Sequence, residues 1–139
     1  MRVNANNSGK SLPVLTVIAA LQVGIPDPAA AQSLTPMRGE VRSTTDQFAI
    51  RVFPANPYKR RISVEIKVYD ETFAPIRASV MPAIAVMAPE DNRGVLVLVP
   101  FEGKPERRVR ICAESIAFED SSTRLRTQVC GRFLAHRVQ

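Results

Sequence analysis

The sequence has no tryptophan, one histidine, two tyrosines and six glycines among its 139 residues, and each scarcity removes a class of function. His136, the only histidine, has no serine, cysteine or metal-ligand partner at a recognisable spacing, so nucleophilic and metal-assisted catalysis lack their parts. Glycine-rich phosphate loops and paired metal ligands are missing, and no cofactor or metal is expected. The acidic pairs Asp70-Glu71 and Glu90-Asp91 fall in predicted turns, where carboxylates are commonplace. The formal net charge is +6, yet so few aromatic residues and no recognition motif argue against nucleic acid as a partner. Helical periodicity is nearly absent, and there is neither an internal repeat nor a low-complexity tract. These absences point to a binding protein rather than an enzyme.

The first thirty-one residues read as an address. Arg2 and Lys10 form a positive leader, and Ser11 to Ile25 is an apolar run of signal-peptide length. A membrane-spanning helix needs about 20 apolar residues, and Gly24, Pro26, Asp27 and Pro28 cut this run short. Ala29, Ala30 and Ala31 supply the small residues of a cleavage site, placed after Ala31, and no cysteine follows it for lipid attachment. The expected organisation is therefore a signal peptide over 1–31 and one domain over 32–139, periplasmic or secreted. Export changes what two cysteines mean, because a pair in an oxidising compartment is usually bridged. The remaining chain stays basic, mostly through arginine, which suits planar pairing with carboxylates and phosphates.

Within 32–139, apolar residues recur with period two. In Arg61 to Tyr69, Ile62, Val64, Ile66 and Val68 share one face while Ser63, Glu65 and Lys67 share the other. Gln47 to Phe53 places Phe48, Ile50 and Val52 together, and Pro54-Ala55-Asn56-Pro57 then breaks the chain into two antiparallel strands. Pro82 to Ala88 is short and apolar. Gly94 to Phe101 is rich in valine and leucine, and its β-branched content and flanking glycines select a strand over a buried helix. With an edge segment near Arg38 to Thr45 and a closing hairpin, the pattern predicts an all-β, immunoglobulin-like sandwich of about seven strands.

The closing hairpin specifies its own register. If Arg107 to Phe118 pairs with Thr123 to Ala135 about a turn centred on Ser121, Cys112 stands opposite Cys130, Val109 opposite Phe133, Ala113 opposite Val129 and Ala117 opposite Leu125. A slip of one residue would mix apolar and charged side chains on one face. The cysteines and the apolar pattern thus choose the same pairing independently. The disulfide and the polar residues Arg110, Glu114, Arg124, Gln128 and Arg132 fall on the solvent side of the ladder. Loop entropy gives such a bridge a worth of about 3 kcal/mol.

Two stretches resemble a known family. Ser79 to Pro100, SVMPAIAVMAPEDNRGVLVLVP, resembles the proline-led strand, turn and valine-rich strand of PapD-like periplasmic pilus chaperones. Thr127 to Val138, TQVCGRFLAHRV, is similar to the last strand of those chaperones' N-terminal domain, with its aromatic-x-Arg ending, and Arg38 lies where they keep an arginine on the first strand. The resemblance spans 36–138. It implies a chaperone or assembly role in which the last strand is added to an exported subunit or peptide strand. Leu125, Val129 and Phe133 would then be donated to the partner, and Arg38 with Arg132 would anchor its terminal carboxylate. A subgroup of the family also bridges its last two strands by a disulfide. Those chaperones have two domains where 32–139 has room for one, and Thr127 and Gly131 interrupt the apolar face of the last strand. The alternative is a secreted immunoglobulin-like structural or adhesive subunit whose basic face meets anionic envelope material.

Overall fold

In the computed structural model, residues 32–116 and 126–139 are described. They form nine strands: β1 Ser33–Thr35, β2 Arg38–Ser43, β3 Gln47–Ala55, β4 Ile62–Tyr69, β5 Ser79–Met81, β6 Ile84–Met87, β7 Val95–Pro100, β8 Glu106–Ile116 and β9 Arg126–Arg137. One sheet has the order β1-β3-β7-β5 and the other the order β2-β9-β8-β4-β6. All neighbouring pairs are antiparallel except β2 and β9, which run parallel.

The seven expected strands are present, and the two additional ones, β1 and β5, are three residues each, too short for alternation to show. The first strand is two because the chain changes sheets at Pro36-Met37. Leu34 pairs with Pro54 in one sheet, and Arg38 pairs with Arg132 in the other. Proline has no N–H to give a ladder, so Pro36 suits the crossing point. The Pro54–Pro57 segment does not close a hairpin. Pro54 lies within β3, which joins β7, whereas β4 joins β8 in the opposite sheet.

Alternation becomes burial as expected. Phe48, Ile50 and Val52 of β3 and Val95, Val97 and Val99 of β7 face Ile62, Val64, Ile66 and Val68 of β4 and Val109, Ile111 and Ala113 of β8. At one end the rings of Phe48 and Phe101 meet tilted, with centroids 4.9 Å apart, a favoured aromatic geometry. The buried Arg107 guanidinium donates to the Pro100 carbonyl and pairs with Glu102 at 3.1 Å, so its charge is compensated.

The closing ladder has the expected register, from Glu106 opposite His136 to Ile116 opposite Arg126, including Val109 with Phe133 and Ala113 with Val129. Cys112 and Cys130 are joined by a disulfide. Cys112 lies on the outer side of the ladder but is fully buried, unlike the solvent-facing position its parity suggests. The Ala117–Leu125 pair, Arg124, the connecting turn and the leader over 1–31 with its cleavage site lie outside the described residues. Among the described residues, no helix is long and apolar enough to cross a membrane.

Candidate functional site

β9 is two things along its length. From Arg132 to Arg137 it lies between β8 and β2, whereas from Arg126 to Gly131 it pairs with β8 alone among the described residues. An edge with unpaired N–H and C=O groups is a template for another strand. On its inner side the free half is tied down: Gln32 Oε1 accepts from the Ser115 and Thr127 hydroxyls at 2.7 and 2.6 Å. Val129 is half-buried against the core.

Phe133, expected among the residues given to a partner, belongs to the core and is 3% exposed. Its ring occupies space left by two glycines. A Cβ on Gly39, directly across the ladder, would meet Phe133 Cδ1 at 3.0 Å, and one on Gly131 would meet Cε2 at 2.8 Å. Leu125 lies outside the described residues. Of the apolar residues expected at the edge, Val129 is therefore the one that the described free half carries.

The basic residues converge more closely than the apolar ones. Arg38 and Arg132 are direct partners on the parallel strands β2 and β9, at the position where the free half of β9 ends. Arg132 also stands opposite Arg110, and Arg110 opposite Tyr69, so one row across four strands reads Arg38, Arg132, Arg110, Tyr69. Arg38, Arg132 and Arg110 line an open groove of about 600 Å3 with Glu40, Glu71, Arg108 and Leu134. The acids in it are already engaged. Glu40 pairs with His136 Nε2 at 3.1 Å, and Glu71 with Arg108 at 3.5 Å. His136 is held between Glu40 and Glu106 at the far end of the strand.

Beside the row lies a second polar cluster centred on Glu114. Its carboxylate accepts from Lys67 Nζ at 2.7 Å, Tyr69 Oη at 2.9 Å and Gln128 Nε2 at 2.8 Å. Burial pushes the Glu114 carboxyl up, but the bonds from Lys67, Tyr69 and Gln128 outweigh it and hold the group below its ordinary range. The same bond to Glu114 raises Lys67. Tyr69 is raised by burial first and then by Glu114. Lys67, Cys112 and Cys130 stand in one row of the ladder, next to the row of Glu65, Glu114 and Gln128.

One aromatic residue escaped sequence reasoning. Phe73, half exposed in the turn after β4, lies under Arg110, with the guanidinium carbon 4.4 Å from the ring centroid. Period two carries no information about a turn, and no local motif marks such a contact.

No protein-family model matches the sequence, and no curated protein matches it. Solved structures do. A chain in the complex of the Salmonella enterica SafA pilin with the SafB chaperone matches with a TM-score of 0.64 at 16% identity, over 80% of this chain and 56% of that one. The E. coli chaperone DraB matches with a TM-score of 0.64 at 16% identity, over 77% of this chain and 55% of DraB. The PapD-like domain 7 of human CEP192 matches with a TM-score of 0.58 at 8% identity, over 91% of this chain and 99% of that domain. The chain thus spans about half the length of the two bacterial chains it matches, and nearly all of the human domain. What these likenesses share is an architecture: the chain is an immunoglobulin-like sandwich of the PapD-like kind.

Proposed function

We propose that this protein is an exported chaperone-like or assembly factor that captures an extended strand of another exported protein on the free half of β9. Arg38 and Arg132 hold the strand's terminal carboxylate. The observation that carries the reading is the coincidence of the two features. The arginines are register partners on β2 and β9, and they lie where the edge of β9 left unpaired among the described residues, Arg126 to Gly131, comes to its end. Main-chain hydrogen bonds along such an edge supply affinity, and a charge at its end sets the depth of insertion. The disulfide, the apolar segment preceding Pro26 and the small residues to Ala31 support action beyond the inner membrane, in the periplasm or outside the cell. The likeness to a structure in which a chaperone is complexed with a pilin supports the class of partner.

The test is binding of a synthetic extended peptide with alternating apolar residues and a free terminal carboxylate, beside the same peptide amidated at its end. Wild type prefers the free acid by about tenfold, as loss of a charge-assisted hydrogen bond implies. Arg132→Gln removes that preference with the fold intact. Equal affinity of wild type for acid and amide would refute the anchor. The alternative, an adhesive or structural subunit on anionic envelope material, predicts salt-sensitive binding to anionic vesicles that Val129→Lys leaves unchanged.

A further inference from the structure

A terminal carboxylate needs two guanidinium groups at most, and this groove presents three besides Arg108, which is paired with Glu71 and Glu106. Arg110 stands in the same row as Arg38 and Arg132, one strand over from Arg132. Adjacent strands are about 4.8 Å apart, and like charges placed directly opposite each other repel. Water and salt screen part of that repulsion, and no carboxylate lining the groove pairs directly with any of the three. Glu40 is taken by His136 and Glu71 by Arg108, and Arg108 is shared further with Glu106. Among the described residues, neither Arg38, Arg132 nor Arg110 has a carboxylate partner.

Arg110 is moreover tethered on the β4 side of the row. Its Nε donates to the Glu71 carbonyl at 3.2 Å, and its guanidinium lies over Phe73, on the side of the turn that follows β4. The turn is built for this at a cost. Phe73 has φ of +64°, a left-handed conformation that a bulky residue rarely takes. Asp70 holds the turn there: its Oδ1 accepts from the N–H of Thr72 and Ala74 and from the Thr72 hydroxyl, all at 2.8 to 2.9 Å, and its carbonyl accepts from Phe73 N. A guanidinium positioned in advance binds an anion without paying for its own ordering.

Resting on the capture reading above, we infer that Arg110 forms a second anion site one strand beyond the Arg38–Arg132 pair, and that the captured strand ends in an acidic residue. The terminal carboxylate falls to Arg38 and Arg132, and the side-chain carboxylate of the last residue to Arg110. A single tetrahedral anion is the poorer occupant, because the tether to Glu71 and Phe73 keeps Arg110 from closing on a centre shared with Arg38.

Two extended peptides, identical except for a terminal Glu or Gln and both with free terminal carboxylates, test this against the oxidised protein. Wild type binds the Glu-ended peptide about tenfold more tightly, the size of one additional charge-assisted contact. Arg110→Gln abolishes the preference while its affinity for the Gln-ended peptide stays within about twofold of wild type. Phe73→Leu keeps the charge but removes the ring, and it narrows the preference; it also serves if Arg110→Gln folds poorly. Equal affinity of wild type for both peptides overturns the second site alone. A preference that survives Arg110→Gln does the same. Failure of both peptides to bind overturns strand capture and this inference with it.

Discussion

The two halves of β9 share one strand and one register with β8, yet they do opposite things. Arg132 to Arg137 is enclosed by β2 and β8, and its inward residues Phe133 and Ala135 are fully part of the core. Among the described residues, Arg126 to Gly131 is paired on one side only, and its inward residues Thr127 and Val129 are half-buried. The division falls where β2 begins, since Arg132 N donates to the Met37 carbonyl at 2.8 Å. A strand can therefore be both a fixture of the sandwich and an offered edge, provided the partner on one side stops midway. The residues that secure the fixed half are then the wrong ones to seek at an interface.

That contrast is open to direct attack. Phe133→Ala deletes a buried ring seated between Gly39 and Gly131, and it should cost about 3–5 kcal/mol, measured by urea unfolding. Val129→Ala, four residues earlier on the same face, removes a smaller, half-buried side chain and should cost about 1 kcal/mol or less. Similar losses at the two positions would erase the distinction between the halves.

The disulfide lies on the free side of the division and ties that half of β9 covalently to β8. Replacing both Cys112 and Cys130 by alanine should lower stability by about 3 kcal/mol, from the entropy of a loop closed 18 positions apart. Hydrogen exchange would show where the loss falls. Amides of the Arg126–Gly131 half should lose more protection than those of the Arg132–Arg137 half, and a uniform loss would mean that the bridge staples the whole ladder equally.

What could be read in advance follows the same line. The register of β8 with β9 was legible because two independent constraints, an apolar face and a pair of cysteines, select one alignment. The strands β3, β4 and β7 were legible because their burial alternates without interruption. Sheet membership was not. The prolines at 54 and 57 announce a turn but not which sheet the next strand joins, which is decided by distant partners, β7 for β3 and β8 for β4. Arg38 and Arg132 could be named because of the family resemblance, whereas their neighbour Arg110 gains its setting from Phe73, a contact across 37 positions that no local pattern encodes. Phe133 was misplaced for a similar reason: its alternation with Val129 is real, but nothing in β9 itself records that β2 covers the one and not the other.

The smallest expected effect concerns charge in the free half. Gln128 of β9 donates to Glu114, which also gathers Lys67 and Tyr69 from β4, so this cluster links the half-paired strand to the centre of the sheet. The Glu114 carboxyl is held below its ordinary value of 4.5, because the bonds from Lys67, Tyr69 and Gln128 exceed the upward push of burial. A carboxyl with a depressed folded-state pKa contributes stability that is present above its unfolded value and lost as pH falls through the folded one. Asp70, lowered by the Thr72 hydroxyl and then by the Ala74 N–H, acts in the same direction. Lys67 has the opposite linkage: raised by Glu114, it contributes below 10.5 and loses that contribution as pH climbs through its folded value. Wild type should therefore lose stability on both the acid side of 4.5 and the alkaline side of 10.5, and Glu114→Gln should flatten the acid limb by about 1 kcal/mol or less, the worth of a partly exposed ion pair, and flatten the alkaline limb as well. Because Asp70 is untouched in that variant, part of the acid limb should remain, and urea unfolding at a series of pH values separates the two carboxylates. An acid limb unchanged by Glu114→Gln would show that the link between β9 and β4 rests on the ladder alone.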